Sequence, residues 1–169
     1  MASSCFVNKR FAMKRTSFSQ MCCSVARTLD LIGEWWSLLI LRDIFLGIRR
    51  FEDIRQDLGV SRKILTERLN TLVSTGILSR QRYQERPARY EYWLTRKGTE
   101  LYPVLLMLLK WGDRWVSPDG VPLELVHTTC DMVTQPVVVC SQCGEELNAD
   151  NVQTQPGPGF VAMQARIED

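Results

Sequence analysis

The chain has 169 residues, of which 45% are hydrophobic, and it carries 21 Lys and Arg against 19 Asp and Glu. This length suits one domain of ordinary size with short appendages. No continuous apolar segment lies in the first 20 residues, and the apolar stretches at 38–48 and 104–109 are interrupted or short. We therefore expect neither a signal peptide nor a membrane span, and we expect a cytoplasmic protein without a membrane partner.

A helix is predicted to begin near Cys23, with the apolar residues Val25, Leu29 and Ile32 on one face. The preceding residues, 1–21, contain four cations, Lys9, Arg10, Lys14 and Arg15. We expect this segment to be a flexible basic arm.

The next pattern predicts two short helices joined by a tight turn. Apolar residues recur every three or four positions, interrupted at Gly59: Ile54, Leu58, Ile64, Leu65, Leu69, Leu72 and Val73. The side-chain oxygen of Ser61 can cap the second helix, and Gly76 can end it in the left-handed conformation. Because this second helix buries its leucines, its basic N-terminal half must face outward.

Two β-compatible segments follow, 77–83 and 89–95, separated by a Pro-containing stretch at 84–88. They predict a hairpin directly after the second helix, which is the order of a winged helix-turn-helix. The predicted fold class is therefore α+β, mainly α. In such a fold the hairpin loop lies beside the second helix, and its arginines would contact phosphates or enter the minor groove.

Charge is distributed unevenly along the chain. Residues 42–97 hold 13 Lys and Arg against 7 Asp and Glu, whereas residues 98–169 hold 3 against 10. A basic face of this kind is expected where a protein meets a polyanion, and we interpret it as a surface for double-stranded DNA. The alternative is an ordinary solvated face of another α+β domain. The predicted DNA contacts are Arg62, Lys63, Thr66, Arg68, Arg82, Arg86 and Arg89.

Five segments together resemble the HxlR-type transcriptional regulators, which are related to the MarR group. They are CSVARTLDLIGEWW at 23–36, SLLILRD at 37–43, RFEDI at 50–54, SRKILTERL at 61–69 and RYEYWLT at 89–95. The joint order of the segments makes the resemblance specific, and it covers about residues 22–116. It implies a homodimeric bacterial regulator with one winged helix per subunit. Each recognition helix would enter one major groove of a palindromic or near-palindromic operator.

Residues 99–116 predict a further helix with more apolar surface than one small domain needs. Its apolar residues are Leu101, Val104, Leu105, Leu108, Leu109, Trp111 and Trp115. We expect this helix, together with the helix that begins near Cys23, to form the homodimer interface. The alternative is that it packs only against its own winged helix.

The one histidine lies with three of the six cysteines in the pattern H-x2-C-x9-C-x2-C, formed by His127, Cys130, Cys140 and Cys143. Two such ligand pairs are typical of zinc-ribbon sites. Gly144 favours the second pair because glycine takes positive φ readily, whereas Asp131 stands in the corresponding place after the first pair. The resembled family often carries a similar C-terminal cluster.

We predict that these four residues hold a structural zinc ion, whose closed shell would leave no position for a catalytic water. The alternatives are a ribbon folded without metal, a disulfide, and a plain buried thiol at Cys130. A stable disulfide is disfavoured in the cytoplasm.

Two further cysteines, Cys22 and Cys23, lie at the predicted start of the first helix. There the helix dipole and Arg27 would favour the thiolate and thus oxidation, which makes both cysteines redox candidates. Some regulators of the resembled type sense electrophiles or oxidants through a cysteine at this place. The alternative is a small apolar residue in the dimer interface.

The sequence thus predicts a homodimeric DNA-binding repressor that responds to an oxidant or a small ligand. It does not predict an enzyme, because the one histidine is better explained as a metal ligand and no glycine-rich phosphate loop occurs. The rival function is a zinc-dependent protein-interaction adaptor that uses the winged helix as a scaffold. The predicted parts are the basic arm (1–21), the DNA-binding and dimerisation domain (22–120), the ribbon-like segment (121–151) and an irregular tail (152–169).

Overall fold

The computed structural model describes residues 17–160. Its elements are α1 (Ser24–Ile32), α2 (Trp35–Phe45), α3 (Phe51–Leu58), α4 (Arg62–Ser74), β1 (Leu78–Gln84), β2 (Arg89–Leu94), α5 (Arg96–Thr99), α6 (Tyr102–Trp115), β3 (Leu125–His127) and β4 (Met132–Thr134). The α+β, mainly helical architecture agrees with the prediction. Residues 1–16 of the predicted arm and 161–169 of the predicted tail lie outside the described residues. No helix between residues 17 and 160 is long and apolar enough to cross a membrane.

The hydrophobic core is formed where α2, α3 and α4 pack against one another and against the hairpin β1–β2. Its buried side chains are Ile32, Ile40, Leu41, Ile44, Ile54, Val60, Leu65, Leu69, Leu72, Ile77, Leu78 and Tyr92. Three of these are the leucines of α4, at the spacing of one helix face. Their burial directs the opposite face of α4 to solvent.

The turn between α3 and α4 has the predicted construction. Gly59 adopts the left-handed conformation with φ of 60°. The Oγ of Ser61 accepts a hydrogen bond from the backbone N–H of Ile64 at 3.3 Å, which satisfies one unpaired donor of the first turn of α4. Gly76, directly after the C-cap residue Thr75, has φ of 70°. The predicted cap and helix end are both confirmed.

The hairpin β1–β2 is the wing. Leu78 pairs with Leu94 at its base, and the register shifts between Arg82 and Gln84 near its tip. The N–H of Tyr92 also donates to the carbonyl of Arg49 at 2.9 Å. The segment before α3 therefore lies along β2 and holds the wing against the helix-turn-helix.

The helix predicted over 99–116 is present as α6, which begins three residues later than predicted. The short helix α5 ends at Thr99, and α6 begins at Tyr102. Pro103 lies in the first turn of α6, where its missing N–H costs nothing, whereas in a helix that already included Thr99 the carbonyl of Thr99 would have no N–H donor at position 103.

Two small hairpins follow α6. The first is β3–β4, in which His127 pairs with Met132. The second is closed by a bridge between Val139 and Glu146. Lys110 of α6 donates to the carbonyl of Pro136 at 2.8 Å, so the connection between the hairpins lies against α6.

Candidate DNA-binding surface

The exposed face of α4 carries the predicted contact residues Lys63 and Thr66. They lie in the first half of the helix, after the Ser61 cap, and the leucines on the other side of α4 are buried. Such a face is what a recognition helix presents to the major groove. Arg62 is also exposed, but its guanidinium has partners in the protein.

Arg62 is held at the start of α4 by Glu52 of α3. The guanidinium donates to Glu52 Oε1 and lies 5.3 Å from the ring centroid of Phe51. Arg55 donates from Nε to the other carboxylate oxygen, Oε2, at 2.8 Å. These hydrogen bonds, first from Arg55 and then from Arg62, lower the pKa of Glu52. The carboxylate is thus charged and fixes the direction of Arg62.

Arg68, the fourth predicted contact on α4, lies away from the exposed face that carries Lys63 and Thr66. Its side chain is 19% exposed, and its Nη1 lies 3.7 Å from Glu34 Oε1. Arg68 lies three residues after Leu65 and four before Leu72, so it shares the side of the helix that packs against the core. The structure therefore places Arg68 beside the link between α1 and α2.

The wing carries the remaining predicted arginines. Arg82 donates to the carbonyl of Glu85 at 3.0 Å and lies 3.1 Å from its carboxylate, so it folds back on its own loop. Arg86 and Arg89 are exposed near the tip. Two cations at the tip are therefore directed toward solvent and one is partly neutralised.

A cleft of about 470 Å³ separates the wing from α3 and the start of α4, and Arg62 and Arg89 contribute to its wall. Its wall also contains Arg50, which the sequence prediction missed. The Nε of Arg50 donates to Glu91 at 2.9 Å, and its guanidinium lies 4.8 Å from the ring centroid of Tyr83. The pair Arg49-Arg50 directly before a helix was the available signal. The structure thus brings Arg50, Arg62 and Arg89 to one cleft.

A family model of HxlR-like helix-turn-helix proteins matches residues 31–120. The chain belongs to the HxlR-like family. The uncharacterized HTH-type transcriptional regulator Rv3095 of Mycobacterium tuberculosis strain H37Rv is 45% identical over 143 residues, which cover 84% of this chain and 90% of the relative. This HxlR-like chain is thus a helix-turn-helix transcriptional regulator, and the likeness extends beyond the part that the family model matches.

Solved structures agree with this assignment. PA1607, described as a proposed transcription factor, matches with a TM-score of 0.74 and 35% identity, over 84% of this chain and 100% of its own. A proposed transcription factor of Pseudomonas aeruginosa, PA1374, matches with a TM-score of 0.57 and 37% identity, over 80% of this chain and 93% of its own. The predicted winged-helix fold and family are confirmed.

Two helices of the HxlR-like chain expose apolar faces. On α1 the exposed residues are Val25 and Leu29, and on α6 they are Tyr102, Val104, Leu108, Trp111 and Trp115. No residue of α6 is fully buried, although Leu105 and the N-cap residue Leu101 pack against the core. A single chain therefore leaves both predicted dimer helices largely uncovered.

The four predicted metal ligands lie in two turns. His127 and Cys130 form the tip of the first hairpin, with His127 Nδ1 3.3 Å from Cys130 Sγ. Cys140 and Cys143 lie in the turn of the second hairpin, where backbone N–H groups of Cys143 and then Gln142 lower the pKa of the Cys140 thiol. Between residues 17 and 160, no group of three or more such side chains lies close enough together to hold a metal ion. Each pair is assembled, and the two pairs remain apart.

Cys22 and Cys23 are both exposed, and Cys23 is the N-cap residue of α1. The Nε of the predicted neighbour Arg27 donates to the carbonyl of Met21 at 2.7 Å, directly before Cys22. Accessible thiols thus lie at the start of α1, beside the exposed face that contains Val25.

Proposed function

We propose that this regulator is a homodimeric repressor that binds a near-palindromic operator through α4 and the wing. The observation that carries the proposal is the arrangement of Lys63 and Thr66 on the capped, exposed half of α4, with Arg86 and Arg89 exposed on the adjacent hairpin. Cations from the helix can reach the major groove while cations of the wing reach phosphates or the minor groove.

Lys63, Thr66 and Arg62 are the proposed contacts of the recognition helix. Arg86 and Arg89 are the proposed wing contacts, and Arg82 joins them when phosphate replaces Glu85 as its partner. Arg68 is left out, because its guanidinium lies beside Glu34 on the packed side of α4.

The exposed faces of α1 and α6 support the dimer. Apolar surface of this extent on two helices is expected to be covered by a partner, and a two-fold dimer matches a two-fold symmetric operator. Bound at a promoter in the cytoplasm, such a dimer would repress by steric occlusion.

Cys22 and Cys23 support a response to thiol oxidation. A peroxide can take two electrons from two thiols of the dimer, which lose two protons as one S–S bond forms and the peroxide is reduced. Because these thiols adjoin the proposed dimer surface, a disulfide between subunits would change the spacing of the two copies of α4.

The decisive experiment is fluorescence anisotropy of the full-length protein with duplex from its own upstream region and with an unrelated duplex, at several salt concentrations. We expect tighter binding to the upstream duplex, with affinity falling steeply as salt rises. The joint Arg62→Ala and Lys63→Ala variant should lose this binding, whereas Arg96→Ala, which removes an exposed cation at the base of the wing, should retain it.

Two outcomes would count against the proposal. Binding by the joint variant equal to that of the wild type would remove α4 from the interface. Little duplex binding at any salt concentration would favour the rival protein-interaction adaptor. Weaker operator binding after peroxide treatment, absent in a Cys22→Ser and Cys23→Ser variant, would support thiol control.

A further inference from the structure

The two turns that carry the His and Cys pairs have the same backbone construction. The N–H of Asp131 donates to the carbonyl of His127 at 2.9 Å, and the N–H of Gly144 donates to the carbonyl of Cys140 at 2.9 Å. Asp131 has φ of 53° and Gly144 has φ of 76°. In residues 17–160, Asp131 is the one non-glycine residue with positive φ. Asp131 therefore adopts the same left-handed conformation in the first turn as Gly144 does in the second, although this conformation is unfavourable for a non-glycine residue.

The spacing of the side-chain donors matches half of a tetrahedral metal site. With Zn–N of about 2.0 Å and Zn–S of about 2.3 Å, two donors on one zinc ion lie about 3.6 Å apart. The observed distance from His127 Nδ1 to Cys130 Sγ is 3.3 Å. In the second turn, the N–H of Gln142 donates to Cys140 Sγ at 3.5 Å, the kind of bond that stabilises a thiolate ligand.

The segment that carries both turns has no hydrophobic core of its own. Every buried core residue between 17 and 160 lies at or before Tyr92. Val126, Met132 and Val133 of the first hairpin are exposed. A small segment without a core usually needs a disulfide, a metal ion or a partner to stabilise it.

We infer that His127, Cys130, Cys140 and Cys143 of one chain bind a single Zn²⁺ ion that draws the two turns together. The hairpins that carry the two turns are joined by a short connection, in which the carbonyl of Pro136 accepts a hydrogen bond from Lys110 of α6. Three thiols lose their protons as three Zn–S bonds form, and the neutral imidazole supplies the fourth ligand. The zinc ion with three thiolates and one neutral imidazole carries a net charge of −1. Its role is to stabilise the fold of this segment. The inference does not depend on the proposed DNA-binding function.

The test uses the full-length protein, reduced and freed of metal with a chelator, then titrated with Zn²⁺ and with Co²⁺. We expect one equivalent of zinc per chain, with protons released on binding. Cobalt should give the intense thiolate-to-metal absorption and the visible bands of a tetrahedral site. Because these spectra are recorded on the wild-type protein, they test the site even if a variant fails to fold.

Four single variants, His127→Ala, Cys130→Ser, Cys140→Ser and Cys143→Ser, should each lose zinc during dialysis against a chelator. The matched control, Cys22→Ser with Cys23→Ser, removes two thiols outside the segment and should retain one equivalent. The inference is overturned if the reduced wild type binds no zinc, if it binds one zinc per two chains, or if the first-turn variants retain it.

Discussion

Arg62, the first residue of α4, donates a hydrogen bond to Glu52 of the preceding helix α3, and Glu52 also accepts one from Arg55. The cation that the sequence assigns to DNA is thus held by an anion at the edge of the same surface. Glu52 directs Arg62, and it also repels nearby phosphates. By directing Arg62, Glu52 should favour binding to the specific site, and by repelling phosphates it should weaken binding to any duplex.

Replacing Glu52 by Gln should raise affinity for unrelated duplex, because a negative charge leaves the surface while Arg62 is released. The ratio of specific to nonspecific affinity should fall. Arg62→Ala should instead cost about 1–3 kcal/mol on the operator if Arg62 contacts a base edge. Anisotropy titrations with both duplexes measure each change.

The control for Glu52 is Glu100→Gln. Glu100 also pairs with an arginine, Arg96, but it is the C-cap residue of α5, after the wing, and does not belong to α3 or α4. Both affinities should stay at their wild-type values in this variant. An unchanged specificity ratio in Glu52→Gln would show that Glu52 has no positioning role.

The wing arginines should differ in their contribution to salt dependence. Arg86→Ala and Arg89→Ala should each reduce the slope of log affinity against log salt by about 1, because each removes one phosphate contact. Arg82→Ala should have a smaller effect, since Arg82 must first leave Glu85. Equal slopes in all three variants and the wild type would remove the wing from the interface.

The sequence predicted the elements of this surface because each depends on local chemistry. The Ser61 cap, the leucine spacing of α4 and the left-handed glycines are encoded within a few residues of where they act. The partial burial of Arg68 could not be predicted from the sequence, because it depends on Glu34, which is distant in sequence. Arg50 was missed for the same reason, because its partner Glu91 lies on the wing, far along the chain. Side-chain pairing between elements follows from packing, which periodicity alone does not reveal.

The buried carboxyl of Asp43 should make the free energy of unfolding depend on pH. The residue is fully buried in α2, and its Oδ1 accepts hydrogen bonds from Arg42 at 2.6 and 3.0 Å. Within the part of the chain that the structure describes, its Oδ2 has no hydrogen-bond partner. Burial raises the pKa of Asp43 above its ordinary 3.8, and the Arg42 guanidinium offsets only part of this effect.

A raised pKa means that the folded state holds this proton more tightly than the unfolded state. The contribution of Asp43 to the free energy of unfolding is therefore fully present below pH 3.8 and is lost as pH rises through the raised pKa. The free energy of unfolding of Asp43→Asn, measured with urea from below pH 3.8 to above the raised pKa, should not show this decrease. Asp57→Asn, which alters an exposed partner of Arg42, should retain it. Identical pH profiles for Asp43→Asn and the wild type would refute this explanation.

Trp111 tests the dimer without touching the DNA-binding surface. It lies on α6 with a side chain 60% exposed, in one apolar stripe with Leu108 and Trp115. Trp111→Asp would place a charge in the proposed interface, where desolvation opposes it, so the variant should be monomeric at concentrations that leave the wild type dimeric. Sedimentation equilibrium measures the mass directly.

Operator affinity should fall in the same variant, because two linked half-sites bind more tightly than one. Trp35→Asp is the matched control, since Trp35 is 84% exposed but lies on α2, beside Ile64 and Arg68. This control should remain dimeric. If Trp111→Asp also stays dimeric, α6 is not the dimer interface, and the subunits must associate through other contacts.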